Sequence, residues 1–162
     1  MEVEGMSGYR ILVVDDCPDT VEVVCMLLDV LGHEAHGATS GVQAIEMVDR
    51  LAPAIVLMDL SMPGLDGYAV AVRLRARRDP SLYLVALTGW GRPEDREAAV
   101  LAGFDDLLVK PPDAKDLRQM LLAARIERPE RTTAASPSGQ CAPDQSVLRI
   151  TELIGFTFIP PG

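Results

Sequence analysis

The feature that most constrains the fold is a fivefold alternation between short apolar runs and longer segments with helical spacing. The strand-length runs occupy residues 11–14, 33–36, 54–58, 82–87 and 107–109, of which 33–36 is the weakest. Runs that are apolar on both faces are typical of strands buried in a parallel sheet. Because parallel strands must be joined by crossovers, usually helices, the alternation over residues 10–127 predicts a parallel sheet with helices on both faces.

Each intervening segment carries the signals of a helix. The predicted helices span residues 18–31, 40–51, 66–78, 93–103 and 113–124. Pro18 and Pro93 suit the first turn of a helix, and Ser40 and Asp66 are suited to cap one. The predicted fold class is therefore α/β, a doubly wound, five-stranded parallel sheet with five helices in three layers, α/β/α.

The composition narrows the function classes. Of the 162 residues, 48% are hydrophobic and 24% are charged, the balance of a soluble globular protein. A formal charge of -9 makes nucleic acid and membrane surfaces unfavourable partners. The three cysteines form no metal-binding pattern, and no apolar run approaches the roughly 20 residues that span a bilayer. We expect a cytoplasmic protein.

The chain after residue 127 differs from the rest. Residues 132–139 are small, polar and Pro/Gly-bearing, which predicts a flexible linker over residues 128–146, and residues 147–162 form a short apolar C-terminal tail. The tail is too short to be a domain, so we expect it to pack on its own domain or on a partner. Too little chain remains for a DNA-binding or catalytic output domain.

Polar side chains follow four of the apolar runs. Asp15 and Asp16 come after the first, Asp59 after the third, Thr88 after the fourth, and Lys110 after the fifth. Because the carboxyl ends of parallel strands meet at one edge of a sheet, these side chains should converge there. Crowded carboxylates repel unless a cation lies among them, and hard oxygen ligands suit Mg²⁺. The pattern predicts a magnesium site able to neutralise a phosphoryl group.

Each of these residues has an ordinary interpretation when taken alone. An Asp after a strand is most often a helix cap or turn former, and a Lys before Pro is usually a surface charge. Their occurrence together at four strand ends favours a functional site. A carboxylate is also a competent covalent acceptor for a phosphoryl group.

The sequence resembles the receiver domain of bacterial two-component response regulators, which has a flavodoxin-like, CheY-like fold. The resemblance rests on ILVVDD at 11–16, MDLSMPGLDG at 58–67, ALTG at 86–89 and VKP at 109–111. It covers about residues 9–127. These motifs are specific in combination, because their order, spacing and strand context agree.

The resemblance implies a role for each residue of the site. Asp59 is expected to accept a phosphoryl group, with Thr88 and Lys110 bonding its oxygens and a cis Lys110–Pro111 peptide bond. Asp16, Asp59 and the backbone carbonyl of Ser61 are expected to ligate Mg²⁺, with Asp15 acting through bound water.

The resemblance also implies partners. The expected donor is a sensor histidine kinase or a histidine phosphotransfer protein, and the output is a changed contact with a downstream protein target; a homodimer is compatible with the sequence. We expect no enzymatic role beyond self-catalysed phosphotransfer and autodephosphorylation. The chain would be a stand-alone receiver, a phosphorelay receiver, or a receiver cut from a larger regulator or hybrid kinase.

Two other functions compete with this prediction. An aspartyl-phosphate phosphotransferase or phosphatase would resemble enzymes that carry Asp-x-Asp after the first strand, where this chain has Asp15-Asp16-Cys17. A receiver acting only as a docking module would normally lack the acceptor or the lysine, and both Asp59 and Lys110 are present.

Some residues depart from the family pattern or carry no predicted role. Leu107 stands where the family usually has Tyr or Phe, which puts aromatic-switch signalling in doubt. Trp90 is bulky beside the site and either shields the acyl phosphate from water or packs on its loop. The arginines at 73, 75, 77 and 78 are interpreted as a solvated helical face.

Overall fold

In the computed structural model, which describes residues 8–127, five parallel strands form one sheet in the order β2-β1-β3-β4-β5. The strands are β1 (Arg10–Val14), β2 (Glu34–Ala38), β3 (Ile55–Asp59), β4 (Tyr83–Thr88) and β5 (Asp106–Val109). The predicted linker, residues 128–146, and the predicted tail, residues 147–162, lie outside the described residues.

A helix follows every strand. The helices are α1 (Pro18–Val30), α2 (Gly41–Leu51), α3 (Gly67–Ala76), α4 (Pro93–Ala102) and α5 (Ala114–Glu127). The Ser40 hydroxyl accepts a hydrogen bond from the Gln43 N–H, and the Asp66 carboxylate accepts one from the Ala69 N–H. These bonds satisfy backbone donors in the first turns of α2 and α3, as their sequences predict.

The sheet separates two apolar cores. Alternate residues of a strand point to opposite faces, so Leu12 and Val14 join one core while Ile11 and Val13 join the other. The first core is covered by α2, α3 and α4 and the second by α1 and α5. This three-layer arrangement confirms the predicted fold class.

The second strand differs most from its predicted position. Residues 34–38 form β2, whereas the sequence indicated 33–36. As an edge strand it pairs only with β1 among the described residues, and most of its residues are partly exposed, so an apolar run does not define it. His33 lies just before it and is buried.

The structure agrees with the solvated interpretation for Arg73, Arg77 and Arg78, which are exposed, and corrects it for Arg75 alone. Arg75 is partly buried and donates hydrogen bonds to the carbonyl oxygens of Gly103, at 2.7 Å, and Leu82, at 2.8 Å. It also pairs with the buried carboxylate of Asp105, at 2.5 Å. Arg75 therefore links α3 to the segments before β4 and β5. Helical periodicity could not reveal this role, because the partners lie far along the chain.

No helix within residues 8–127 has both the length and the apolar character needed to cross a membrane.

Candidate functional site

The site lies at the carboxyl edge of the sheet, where β1, β3, β4 and β5 end. Asp15 follows β1 directly, Asp59 is the last residue of β3, and Thr88 is the last residue of β4. Lys110 follows β5, and its N–H donates to the Thr88 carbonyl oxygen at 2.7 Å. Parallel strand pairing thus brings together side chains that are distant in the sequence.

Three carboxylates meet at this edge. One oxygen each from Asp15, Asp16 and Asp59 can be chosen so that all three lie within 4.8 Å of one another. Asp15 and Asp59 are buried, with 1% and 3% of their surface exposed, while Asp16 is exposed. The cluster therefore has a buried wall and one side open to solvent.

Lys110 is the cation shared by the two buried acids. Its Nζ lies 3.0 Å from Asp15 Oδ2 and 3.2 Å from Asp59 Oδ1. Burial alone would lower the pKa of Lys110, but its hydrogen bonds to Asp15 and Asp59 outweigh that effect and raise the pKa above its usual value. Lys110 is therefore held as a charged ammonium. The Lys110–Pro111 peptide bond is cis, as predicted.

The ionised form of Asp59 remains disfavoured despite this partner. Burial raises its pKa above the usual 3.8, and the negative charge of Asp15 acts in the same direction. The Ser61 N–H, 3.1 Å from Asp59 Oδ1, and Lys110 oppose the shift without cancelling it. One positive side chain thus does not balance the acids, and additional positive charge would be favourable here.

Local backbone structure holds the acids in place. The Cys17 N–H donates to Asp15 Oδ1 at 2.9 Å, so the start of α1 fixes that carboxylate. A Cβ at Gly67, the first residue of α3, would lie 2.3 Å from the Asp59 carbonyl oxygen. Only glycine permits this close approach of α3 to the end of β3.

The loop after β4 carries a hydroxyl and an exposed aromatic ring. Thr88 is buried, and its Oγ1 accepts the Trp90 N–H at 3.4 Å. Trp90 is 78% exposed, with the Arg92 guanidinium 5.4 Å from its ring centroid. The ring therefore contacts a cation rather than packing into the core, an interaction that the Trp-x-Arg spacing could have suggested.

The residue at the family's aromatic position is an aliphatic one in the core. Leu107 is partly buried and packs against the cluster beneath α2, α3 and α4. Phe104 lies just before β5 and is buried in that same cluster. No aromatic ring occupies β5 itself.

The chemistry of the three acids fits a small divalent cation. Carboxylate oxygens are the ligands that Mg²⁺ prefers, and its incomplete protein coordination leaves positions for water or a phosphoryl oxygen. Asp15, Asp16 and Asp59 could hold such an ion at the exposed side of the cluster. Ser61 lies beside them, with its N–H bonded to Asp59. Its carbonyl role remains a prediction.

The comparisons with known proteins agree with this geometry. The family model for the response regulator receiver domain matches residues 11–122. The chain belongs to this family.

Individual relatives match over most of this domain. An uncharacterised 14.6 kDa protein of Leptolyngbya boryana is 36% identical over 120 residues, covering 74% of this chain and 92% of the relative. The sensor protein GacS of Pseudomonas syringae is 36% identical over 135 residues, covering 78% of this chain. A solved receiver domain of a Pseudomonas aeruginosa sensor histidine kinase, with magnesium coordinated in its active-site cleft, is 33% identical with a TM-score of 0.64, covering 72% of this chain and 97% of that one.

Several curated relatives are much longer than the matching region. The chain spans 15% of GacS and about half, 51%, of the Synechocystis transcriptional regulator RpaA. Receiver domains related to this one therefore occur in both sensor proteins and transcriptional regulators.

Proposed function

We propose that Asp59 accepts a phosphoryl group and that the resulting change in charge switches contacts with a downstream protein. The single observation that carries the proposal is the position of Asp59. It is buried at a strand end, its pKa is raised, and it lies near both Lys110 and two other carboxylates. That environment disfavours its negative charge until positive charge or a covalent partner reaches it.

The transfer would use a carboxylate oxygen of Asp59 as nucleophile. That oxygen attacks the phosphorus of a phosphohistidine, forming a P–O bond as the P–N bond breaks. The leaving nitrogen keeps the bonding electron pair and takes up a proton. The ammonium of Lys110 offsets the charge of the phosphoryl oxygens, and the Thr88 hydroxyl is placed on the neighbouring strand to donate to one of them.

A magnesium ion would complete the site. The carboxylates of Asp16 and Asp59 and the backbone carbonyl of Ser61 would hold it directly, with Asp15 acting through bound water. When bound, the ion neutralises charge on the transferred group. Asp16 is the exposed member of the cluster, so it would meet an entering ion first.

The donor would be a sensor histidine kinase or a histidine phosphotransfer protein. The similarity to GacS, described as a sensor protein, and to the receiver domain of a sensor histidine kinase supports this class of donor. The output would be protein–protein contact, since an added phosphoryl group changes local charge and hydrogen bonding.

The direct test is covalent modification of the full chain by acetyl phosphate and Mg²⁺, followed by intact-mass spectrometry. We expect one added phosphoryl group that is lost on Asp59→Asn. Asp19→Asn, which changes an exposed acid in the first turn of α1, is the matched control and should be modified like the wild type. Equal modification of the Asp59→Asn chain would refute the assignment.

The same samples separate the competing functions. Sustained hydrolysis of a generic phosphate ester would favour an aspartyl-phosphate phosphatase over a receiver. Partner binding that is identical with and without the phosphoryl group would favour a docking module. We expect neither result.

A further inference from the structure

The solvent side of α1 carries an apolar stripe, formed by Val23, Met26 and Val30. Their exposed fractions are 56%, 60% and 85%. Spacings of three and four residues place them on one face of the helix. The opposite face buries Val24 and Leu28 in the core.

The clustering of these residues distinguishes them from ordinary exposed apolar side chains. The other large exposed apolar side chains of residues 8–127 are distributed over four other helices, a strand and a loop: Val42, Val72, Leu101, Leu122, Val109 and Trp90. Single exposed apolar residues are normal, whereas a contiguous apolar surface marks a place where something binds.

A second apolar feature of the chain has no role in the receiver chemistry. Residues 147–159 are predominantly apolar, with only Arg149 and Glu152 charged. Their apolar members are Val147, Leu148, Ile150, Leu153, Ile154, Phe156, Phe158 and Ile159. Such a segment gains free energy by leaving water.

The path of the chain leads towards α1. Helices α1 and α5 cover the same face of the sheet. Tyr9, which precedes β1, packs in the same core as Leu121 and Ala124 near the end of α5. Burial raises the pKa of Tyr9, and the charge of Arg125 opposes that shift. The Tyr9 N–H in turn donates to His33 Nδ1 at 3.0 Å, three residues after Val30. Helix α5 therefore ends near the carboxyl end of α1.

The distances are compatible with an intramolecular contact. If residues 128–146 form the linker that their composition predicts, these 19 residues would have a root-mean-square span of about 24 Å. Helix α1, with 13 residues, is about 20 Å long. Helices α2, α3 and α4 lie on the opposite face of the sheet, so the segment would have to pass around an edge to reach them.

We propose that residues 147–159 dock on the α1 stripe of the same chain. Tethering gives the segment an effective concentration in the millimolar range, so even a weak contact is populated. The docked segment buries Val23, Met26 and Val30 together with its own phenylalanines. This contact does not depend on phosphorylation of Asp59, so its test is independent of the proposed function.

The test is photo-crosslinking in the full chain. Met26 is replaced by p-benzoylphenylalanine, the sample is irradiated, and the crosslinked peptides are identified by mass spectrometry. An equal mixture of ¹⁴N- and ¹⁵N-labelled chains distinguishes contacts within one chain from contacts between chains. The matched control places the same probe at Val72, which has 55% exposure on α3.

We expect crosslinks from position 26 to residues 147–159 within one chain, and none to that segment from position 72. Changing Phe156→Ser and Phe158→Ser together should lower the crosslink yield by about tenfold or more, because each ring contributes much of the buried apolar area. Crosslinks only between chains, crosslinks only to other segments, or a yield unaffected by the two serines would each overturn the proposal. Unchanged circular dichroism would show that the variants are folded.

Discussion

The two ends of the sheet treat buried polar groups in opposite ways. At the amino end, the Asp105 carboxylate is matched by the Arg75 guanidinium and by the Leu84 N–H, 2.9 Å away. At the carboxyl end, Asp15 and Asp59 share Lys110 while Asp16 adds a third negative charge. The amino end pairs its buried carboxylate with a cation, whereas the carboxyl end brings three carboxylates together around one lysine.

This difference separates a structural role from a reactive one. Removing one partner of a buried ion pair is strongly destabilising, because the other charge is then buried without compensation. The ionised form of an acid is unfavourable beside other carboxylates, and any added positive charge stabilises it. Substitution of a charged partner at the amino end should therefore lower the stability, and neutralisation of an acid at the carboxyl end should raise it.

The largest effect is expected at Arg75. Arg75→Ala should lower the free energy of unfolding by about 2–4 kcal/mol, because it leaves the buried Asp105 without its cation and two carbonyl oxygens without a donor. Urea denaturation measures the change. Arg73→Ala, on an exposed position of the same helix, should stay within about 0.5 kcal/mol. Equal losses of unfolding free energy in Arg75→Ala and Arg73→Ala would show that the pairing of Asp105 does not stabilise the amino end.

Magnesium should stabilise the carboxyl end. At ten times its dissociation constant, Mg²⁺ should raise the free energy of unfolding by about 1.4 kcal/mol, and a chelator should reverse the gain. Thermal or urea unfolding with and without the ion measures it. The gain should shrink in Asp16→Asn, which removes the exposed ligand. A gain of the same size in a chain lacking both Asp16 and Asp59 would place the ion elsewhere.

Asp59→Asn should stabilise the protein when divalent cations are absent. The expected gain is about 0.5–1 kcal/mol at pH 7, since the amide carries no charge to bury or to oppose Asp15. Folding raises the pKa of Asp59. The wild-type acid therefore contributes to the free energy of unfolding at low pH, and this contribution is lost as the pH rises through the pKa of the folded protein. The difference between variant and wild type should therefore close towards pH 4. A destabilised variant at pH 7 would contradict the comparison.

The smallest expected effect is a pH dependence at the amino end. Burial lowers the pKa of His33 below its usual 6.5, so its contribution to stability is fully present above pH 6.5 and is lost as the pH falls through the lower pKa of the folded protein. The free energy of unfolding should fall less between pH 7 and 5.5 in His33→Asn than in the wild type, by about 0.5 kcal/mol. Urea midpoints across this range measure it, with His36→Asn, at a partly exposed position, as the control.

Much of this architecture could be predicted from the sequence. The apolar runs at 54–58 and 82–87 correspond within one residue to β3 and β4, because strands buried on both faces consist mainly of apolar residues. Asp15, Asp16, Asp59 and Lys110 converge as predicted, since strand ends in a parallel sheet share one edge.

The remainder depends on tertiary contacts that no local pattern encodes. Arg75 has the spacing of a solvated residue, and its pairing with Asp105 arises only when β5 packs beside β4. The exposure of Trp90 is set by the loop after β4 and by the position of Arg92, so bulk alone could not decide between a shield and a packed ring.

The bond from the Cys17 N–H to Asp15 has a consequence for how the domain reports its state. Lys110 divides its attraction between Asp15 and Asp59, and Asp15 in turn holds the first turn of α1 through that bond. A modification of Asp59 that strengthens its ion pair with Lys110 weakens the ion pair between Lys110 and Asp15. The position of the first turn of α1 therefore depends on whether Asp59, on another strand, is modified.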